Sequence, residues 1–125
     1  MSDSNAAHAH HSIDYVEITV SDLFVAKSFY AGAFGWKFND YGPEYAGIQG
    51  ETREVGGLRV DPTTRLHPAF NAPLVILYSK TLDDTTNRVV KAGGTITKPA
   101  FAFPGGRRFH FADPTGNELA VWSES

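Results

Sequence analysis

The sequence predicts an α+β domain in which a βαβββ module occurs twice. Two segments carry apolar side chains at helical spacing, and each of them follows one short strand and precedes three more. A shift of 59 positions places Leu23 on Leu82 and Gly35 on Gly94, so the two helices and their expected ends coincide. A repeat of this length predicts two similar half-folds. Each is too small to bury its own sheet and helix, so the two must pair.

The first module begins at IDYVEITV, residues 13–20, where aliphatic and polar side chains alternate. Alternation of this kind is typical of a strand with one buried face. Ser21 and Asp22 offer an N-cap, and the apolar spacing that follows predicts a helix that stops at Gly35. Turn-forming residues then separate three short strands, expected at 36–38, 45–48 and 54–60.

The second module repeats this order, beginning with the strand PLVILYS at residues 73–79. Thr81 is the expected N-cap of its helix, with Asp84 three residues later as a shortened capping box. Gly93 and Gly94 are expected to end the helix. The turn signals PGG and DPTG separate the remaining strands, expected at 96–103, 108–112 and 118–122.

Composition excludes several classes of protein. The chain has 125 residues, 14 acidic and 11 basic side chains and no cysteine. Disulfides, thiolate nucleophiles, cysteine-ligated zinc and iron–sulfur clusters are therefore excluded. Basic residues are scattered and the formal charge is −3, so we expect no nucleic-acid partner. No apolar run approaches the roughly 20 residues that span a bilayer, so we expect no membrane partner either.

The first twelve residues, MSDSNAAHAHHS, are small, polar and rich in histidine. They have neither the basic start nor the apolar centre of a secretory signal, so we expect a disordered tail over residues 1–12 and a cytoplasmic location. One domain is expected over 13–123, with its modules at about 13–62 and 72–123.

Three stretches of sequence give a resemblance to a known family. The run VSDLFVAKSFYAGAFGW, the helix end KAGG and the closing GGRRFHFADPTGNELAVW are similar to the vicinal-oxygen-chelate superfamily. That superfamily includes glyoxalase I, bleomycin-resistance proteins and extradiol dioxygenases, and the resemblance covers Ile13 to Trp122. It implies a curved mixed sheet, the glyoxalase/bleomycin-resistance/dioxygenase fold, with the site on the concave polar faces. It also implies a homodimer.

The same resemblance implies four positions that hold a divalent metal ion in the metalloenzymes of the family. Three of them fall on Tyr15, Leu74 and Ala120 in this sequence, and Glu54 is the nearest acidic side chain to the fourth. The first three are not usual ligands of a divalent metal. We therefore expect no metal cofactor, and neither glyoxalase I nor dioxygenase activity.

Strand alternation predicts which side chains line the cleft. If the aliphatic side chains pack under the helices, the other face of each strand points into the concave cleft. Trp122 offers apolar surface for stacking a planar ligand, and Arg108 offers a hydrogen-bonding fork to an anionic group. The complete predicted set of ligand-binding residues is Tyr15, Glu17, Arg108, His110, Glu118 and Trp122.

Two functions remain open from the sequence. In the first, the protein is a metal-free homodimer that binds a small organic ligand, as bleomycin-resistance proteins do. In the second, it is an enzyme of lyase or isomerase type with Glu17 and His110 as catalytic residues. That enzyme either holds a divalent metal through Glu17, His110 and Glu118, or works without metal through a carboxylate base and an imidazole acid. The fold alone does not choose between them.

Overall fold

The computed structural model describes residues 8–62 and 73–125, and within them it contains two βαβββ modules. The expected disordered tail, residues 1–12, lies largely outside the described residues. The first module contains β1 (Val16–Val20), α1 (Leu23–Phe34), β2 (Phe38–Asp40), β3 (Tyr45–Gln49) and β4 (Glu54–Val60). The second contains β5 (Ile76–Tyr78), α2 (Leu82–Lys91), β6 (Thr95–Phe103), β7 (Gly106–Ala112) and β8 (Glu118–Ser123).

Each module forms its own four-stranded mixed sheet, and the two sheets have the same topology. The strand orders are β1-β4-β3-β2 and β5-β8-β7-β6. In each sheet the first strand pairs parallel with the fourth, while the other neighbours are antiparallel. The predicted α+β fold with tandem modules is confirmed. Neither described helix is long and apolar enough to cross a membrane.

The two helices begin in different ways. The Asp22 carboxylate accepts a hydrogen bond from the backbone N–H of Val25 at 3.0 Å and caps α1 as expected. Thr81 makes no side-chain cap to α2, so the expected capping box is wrong. The backbone N–H of Thr81 instead donates to the Ser79 hydroxyl at 2.9 Å, which holds the chain as it enters the helix.

The left-handed residues after the two helices also differ by one position from the expected repeat. Gly35 ends α1 in the left-handed conformation, with φ of 72°. In the second module the left-handed residue is Gly93, with φ of 108°, so the expected equivalence of Gly35 and Gly94 is wrong. Gly94 allows a close approach instead, since a Cβ there would lie 2.7 Å from Val89 and 2.9 Å from Phe29.

A single hydrophobic core joins the modules. The side chain of Phe111 on β7 contacts two rings of α1, with centroid distances of 5.9 Å to Phe29 and 5.6 Å to Phe34. Alternation along residues 13–20 would also bury Val16, but its side chain is 37% exposed because it is the first residue of an edge strand. Buried side chains come from both modules: Ile18, Val20, Phe29, Tyr30, Leu58, Leu82, Val89, Phe109, Phe111, Leu119 and Val121.

The turn between β7 and β8 also joins the modules. Asp113 is buried in this DPTGN turn, and its carboxylate accepts hydrogen bonds from the backbone N–H groups of Thr115 at 2.8 Å and Asn117 at 3.0 Å. It also accepts one from the Tyr30 hydroxyl of α1 at 2.7 Å. The Asn117 amide donates to the backbone carbonyl of Thr19 on β1 at 2.9 Å. The turn therefore binds the second module to both a helix and a strand of the first.

Candidate functional site

The predicted site residues lie on two separate surfaces. We call the side of each sheet that points away from the core the first face, for β1–β4, and the second face, for β5–β8. Tyr15 and Glu17 lie on the first face, whereas the second face carries Arg108, His110, Glu118 and Trp122. Among the described residues, no hydrogen bond or ion pair connects these two groups.

A carboxylate at the centre of the first face accepts three side-chain hydrogen bonds. Glu54 accepts from the hydroxyls of Tyr15 and Tyr41, both at 2.8 Å, and from the Asn39 amide at 2.9 Å. These donors, with Asn39 the strongest, lower the pKa of Glu54 below its ordinary value. The carboxylate lies against the backbone at Gly47, where a Cβ would be only 1.9 Å from its oxygen. Glu54 is therefore an ionised acceptor and a weak base.

The rest of the first face is also occupied by mutual contacts. The Tyr15 and Tyr45 hydroxyls are 2.8 Å apart, and burial together with the Tyr45 hydrogen bond raises the pKa of Tyr15. Glu17 lies 3.3 Å from the Arg59 guanidinium, which also donates to the Thr19 hydroxyl at 2.9 Å. The first face is a polar network of tyrosines and paired charges.

The second face holds an aromatic cleft with one cation. A cavity of about 340 Å³ opens between Ile76, Phe103, Gly105, Arg108 and Trp122. The Trp122 ring lies 6.2 Å from the Phe103 ring, between centroids, and the Arg108 guanidinium lies 5.4 Å from the Phe101 centroid. This combination of apolar rings and a guanidinium can hold a flat ring and an anionic substituent.

His110 lies beside this cleft and is almost fully buried, with 4% of its surface exposed. Its Nδ1 is 3.4 Å from the Glu118 carboxylate, which also accepts a hydrogen bond from the Thr97 hydroxyl at 3.1 Å. Burial, followed by the positive charges of Arg108 and Lys98, lowers the pKa of His110 below its ordinary value of 6.5. The ring is therefore neutral at pH 7.

The three residues expected to form an alternative metal site are only partly gathered. Glu17 and Glu118 line a common groove of about 230 Å³ between the modules, and His110 contacts Glu118. Within residues 8–62 and 73–125, however, no three His, Asp or Glu side chains are grouped closely enough to hold a metal ion.

A further cavity lies on the core side of the sheets. It has a volume of about 300 Å³ and is lined mainly by apolar side chains, including Trp36, Val16 and Leu77. The alternation of β1 and β5 places this cavity opposite the two faces described above. It is therefore a second place at which an apolar molecule could contact a tryptophan.

Sequence reasoning missed the contribution of Tyr41, Tyr45 and Asn39 to the network around Glu54. The available signal was the glycines in the middle of strands, since a strand glycine often marks the close approach of another group. Gly47 faces the Glu54 carboxylate, and Gly57 faces the Tyr45 hydroxyl at 2.0 Å from the position of a Cβ.

Comparison with known proteins gives structural and sequence relatives. A glyoxalase-related enzyme from Fulvimarina pelagi is 21% identical, covers 90% of this chain and 88% of its own, and superposes with a TM-score of 0.75. TnmS3, an antibiotic binding protein from Streptomyces sp. CB03234, is 20% identical, covers 94% of this chain and 100% of its own, and superposes with a TM-score of 0.67. At these identities the similarity shows the fold alone.

A curated relative covers the chain at somewhat higher identity. CFP32 of Mycobacterium bovis, named provisionally as a glyoxylase, is 27% identical over 118 residues. The match covers 87% of this chain but 44% of CFP32, so the chain spans less than half the length of this relative. Residues 12–121 also match the model of the Glyoxalase/Bleomycin resistance protein/Dioxygenase superfamily. The chain therefore belongs to this superfamily, the vicinal-oxygen-chelate proteins that its sequence motifs resemble.

Proposed function

We propose that this protein binds a small planar organic ligand with an anionic substituent on its second face. The observation that supports this most is the cleft between Trp122, Phe103 and Arg108, in which rings and one guanidinium border the same space. Pockets for small molecules commonly combine apolar walls with a few polar groups that fix orientation. TnmS3, which shares the fold, is an antibiotic binding protein, and this agrees with a ligand-binding role.

We further infer that the protein works without a metal at the family's position. Leu74 and Ala120 have no side-chain donor atoms, and Tyr15 is a neutral phenol that donates to Glu54. The Glu54 carboxylate already accepts three hydrogen bonds. These residues do not fit a Zn²⁺, Ni²⁺ or Fe²⁺ centre, which requires imidazole and carboxylate ligands.

The functional form is proposed to be a homodimer. Ile76 and Tyr78 on the edge strand β5, with Leu74 just before it, form an apolar row, and 44% of Ile76 and 50% of Tyr78 are exposed. Contiguous apolar surface of this kind is typical of a surface that a partner covers. A second copy of the chain would reduce this exposure and enclose the cleft.

Isothermal titration calorimetry with 2-naphthoate, a planar aromatic acid, tests the ligand-binding proposal. We expect Trp122→Ala to weaken binding by about 1–3 kcal/mol, because stacking on the indole is lost. Trp36→Phe is the matched control and should leave binding unchanged, because Trp36 lines the other cavity. Loss of binding in Trp36→Phe but not in Trp122→Ala would place the ligand on the core side and contradict the proposal.

The charge of the ligand is tested by 2-naphthamide, which has the same rings but no negative charge. We expect it to bind more weakly than 2-naphthoate to the wild type, and the difference to disappear in Arg108→Gln. Equal affinity for the acid and the amide in the wild-type protein would show that the cleft does not recognise an anion.

The second candidate function is an acid–base enzyme of lyase or isomerase type. The observation in its favour is the His110–Glu118 pair beside the cleft, with Glu17 in the groove that Glu118 also lines. A neutral imidazole whose other nitrogen contacts a carboxylate is suited to take a proton. This activity would replace hydrogens next to the carbonyl group of a carbonyl compound with deuterium from deuterated water, which NMR detects. His110→Gln should abolish this exchange.

A further inference from the structure

Two buried nitrogen atoms of β7 have no hydrogen-bond partner among the described residues. They are Nε of Arg108 and Nε2 of His110. The two residues are separated by one position in the strand, so their side chains leave the sheet on the same face. Buried polar atoms are nearly always satisfied in folded proteins, so two such atoms side by side call for an explanation.

The neighbouring strand supplies no partner for either atom. β6 pairs Lys98 with His110 and Phe101 with Arg108, and its register shifts between these two pairs. The Phe101 ring covers this stretch, with its centroid 5.9 Å from the His110 ring and 5.4 Å from the Arg108 guanidinium. An aromatic face excludes water without replacing its hydrogen bonds. Among the described residues the two nitrogens are therefore unpaired, and the Phe101 ring separates them from solvent.

The groups around His110 determine whether its Nε2 donates or accepts a hydrogen bond. The Glu118 carboxylate of β8 lies 3.4 Å from Nδ1, and an ionised carboxylate only accepts, so the ring proton belongs on Nδ1. Burial and the charges of Arg108 on β7 and Lys98 on β6 oppose a second proton. Nε2 consequently presents a lone pair and is an acceptor, whereas Nε of Arg108 carries a hydrogen and is a donor.

We propose that Arg108 and His110 form a donor–acceptor pair that selects aromatic acids which also carry a hydroxyl or N–H group. Phe101 is 38% exposed, and its ring has to turn aside for a ligand to reach these atoms. The anionic oxygen then accepts from Arg108, and the hydroxyl or N–H donates to Nε2 of His110. This inference rests on the proposed ligand-binding function and narrows its ligand class. A site that holds both a donor and an acceptor discriminates against a ligand that satisfies only one, because the other group stays buried and unpaired.

The test compares 2-naphthoate with 3-hydroxy-2-naphthoate and 6-hydroxy-2-naphthoate by calorimetry at pH 7.5. We expect at least one hydroxy acid to bind about 3- to 10-fold more tightly than 2-naphthoate, because one neutral hydrogen bond usually changes affinity by this much. In His110→Phe, which keeps an aromatic ring but lacks Nε2, the acids should bind equally. Tyr41→Phe, an exposed change on the first face, is the matched control and should preserve the preference.

A spectroscopic measurement keeps the test independent of how well His110→Phe folds. In wild-type protein labelled with ¹⁵N-histidine, the resonance of an unprotonated Nε2 should move upfield when the hydroxy acid binds and stay unmoved with 2-naphthoate. The resonances of His110 are identified by their absence from the spectrum of His110→Gln. If Nε2 of His110 carries the ring proton in the ligand-free protein, the proposal is overturned.

The outcomes separate this inference from the proposed function. If all three acids bind with the same affinity and Trp122→Ala weakens them equally, the donor–acceptor pair is wrong and ligand binding on the second face stands. If Trp122→Ala weakens none of the three acids, both proposals are wrong.

Discussion

At the scale of single residues, two of the buried polar side chains, Asp113 and His110, are in opposite situations. Asp113 accepts hydrogen bonds from the N–H groups of its own turn and from Tyr30. His110 has one nitrogen near Glu118 and another without a partner among the described residues. A fully bonded buried group stabilises and orients the fold, whereas a partly bonded one is typical of a functional site. Asp113 thus has a structural role, and His110 is the buried group on which the proposed ligand preference depends.

The lowered pKa of His110 leads to a prediction about stability. The unfolded chain binds a proton at this side chain near pH 6.5, and the folded chain binds it only at lower pH. As the pH falls below about 6.5, the unfolded state therefore takes up more protons and the free energy of unfolding decreases, by at most about 1.4 kcal/mol per pH unit for one group. Above about pH 6.5 this loss is absent, and His110 makes its full contribution to the free energy of unfolding.

Urea unfolding between pH 5 and 8, at constant protein concentration, measures this effect. The free energy of unfolding of His110→Gln should depend less on pH than that of the wild type. The difference in stability between the two proteins should therefore shrink as the pH falls. Parallel pH profiles for the two proteins would show that His110 titrates at its ordinary value in the folded state.

At the scale of secondary-structure elements, the DPTGN turn does more than connect β7 to β8. Through Asp113 it holds the Tyr30 hydroxyl of α1, and through Asn117 it holds the carbonyl of Thr19 on β1. Both contacts join positions far apart in the sequence. A short turn of the second module is therefore part of the interface between modules.

Tyr30→Phe is expected to lower the free energy of unfolding by about 1–3 kcal/mol, because a buried carboxylate oxygen loses its donor. Tyr78→Phe removes the same hydroxyl from an exposed tyrosine that donates to Glu124 at 2.6 Å, and it should cost less than about 0.5 kcal/mol. Chemical denaturation of both variants gives the comparison. Equal losses would mean that the Tyr30–Asp113 hydrogen bond adds nothing to the interface.

The elements show which parts of this structure could be predicted from sequence. Turn-forming residues predict β4 at its observed bounds, 54–60. Alternation predicts Arg108 and His110 on one face, and in the observed strand β7 the two residues do share a face. The predicted cap at Thr81 was wrong because a local hydrogen bond to the Ser79 hydroxyl takes its place. The predicted end of α2 was wrong because Gly94 is needed where Phe29 of the other module packs closely. The network around Glu54 was missed, because contacts across strands depend on register.

At the scale of the whole molecule, the two modules share a topology but present different chemistry. The first face is rich in phenols and contains the carboxylates of Glu17 and Glu54, whereas the second face carries Arg108 and Lys98 among aromatic rings. The repeat therefore preserves the backbone and not the surface.

The proposed homodimer predicts a solution mass of twice the chain mass of 13.6 kDa. Sedimentation equilibrium at micromolar concentration measures it, and Ile76→Glu, a charge placed within the exposed apolar row, should shift the equilibrium toward the monomer. Asn87→Glu, at an exposed position of α2, serves as the charge-matched control. A wild-type protein that sediments as a monomer would contradict the proposal.

The core that joins the modules has a consequence for hydrogen exchange. Leu58 on β4 and Val121 on β8 belong to different sheets but to one continuous packed cluster, and the DPTGN turn bonds across the same boundary. Neither half can open fully without exposing the core of the other, so the chain should behave as one cooperative unit despite its duplicated architecture. The slowest amides of β4 and β8 should exchange with the same opening free energy, within about 1 kcal/mol, and Tyr30→Phe should lower both together.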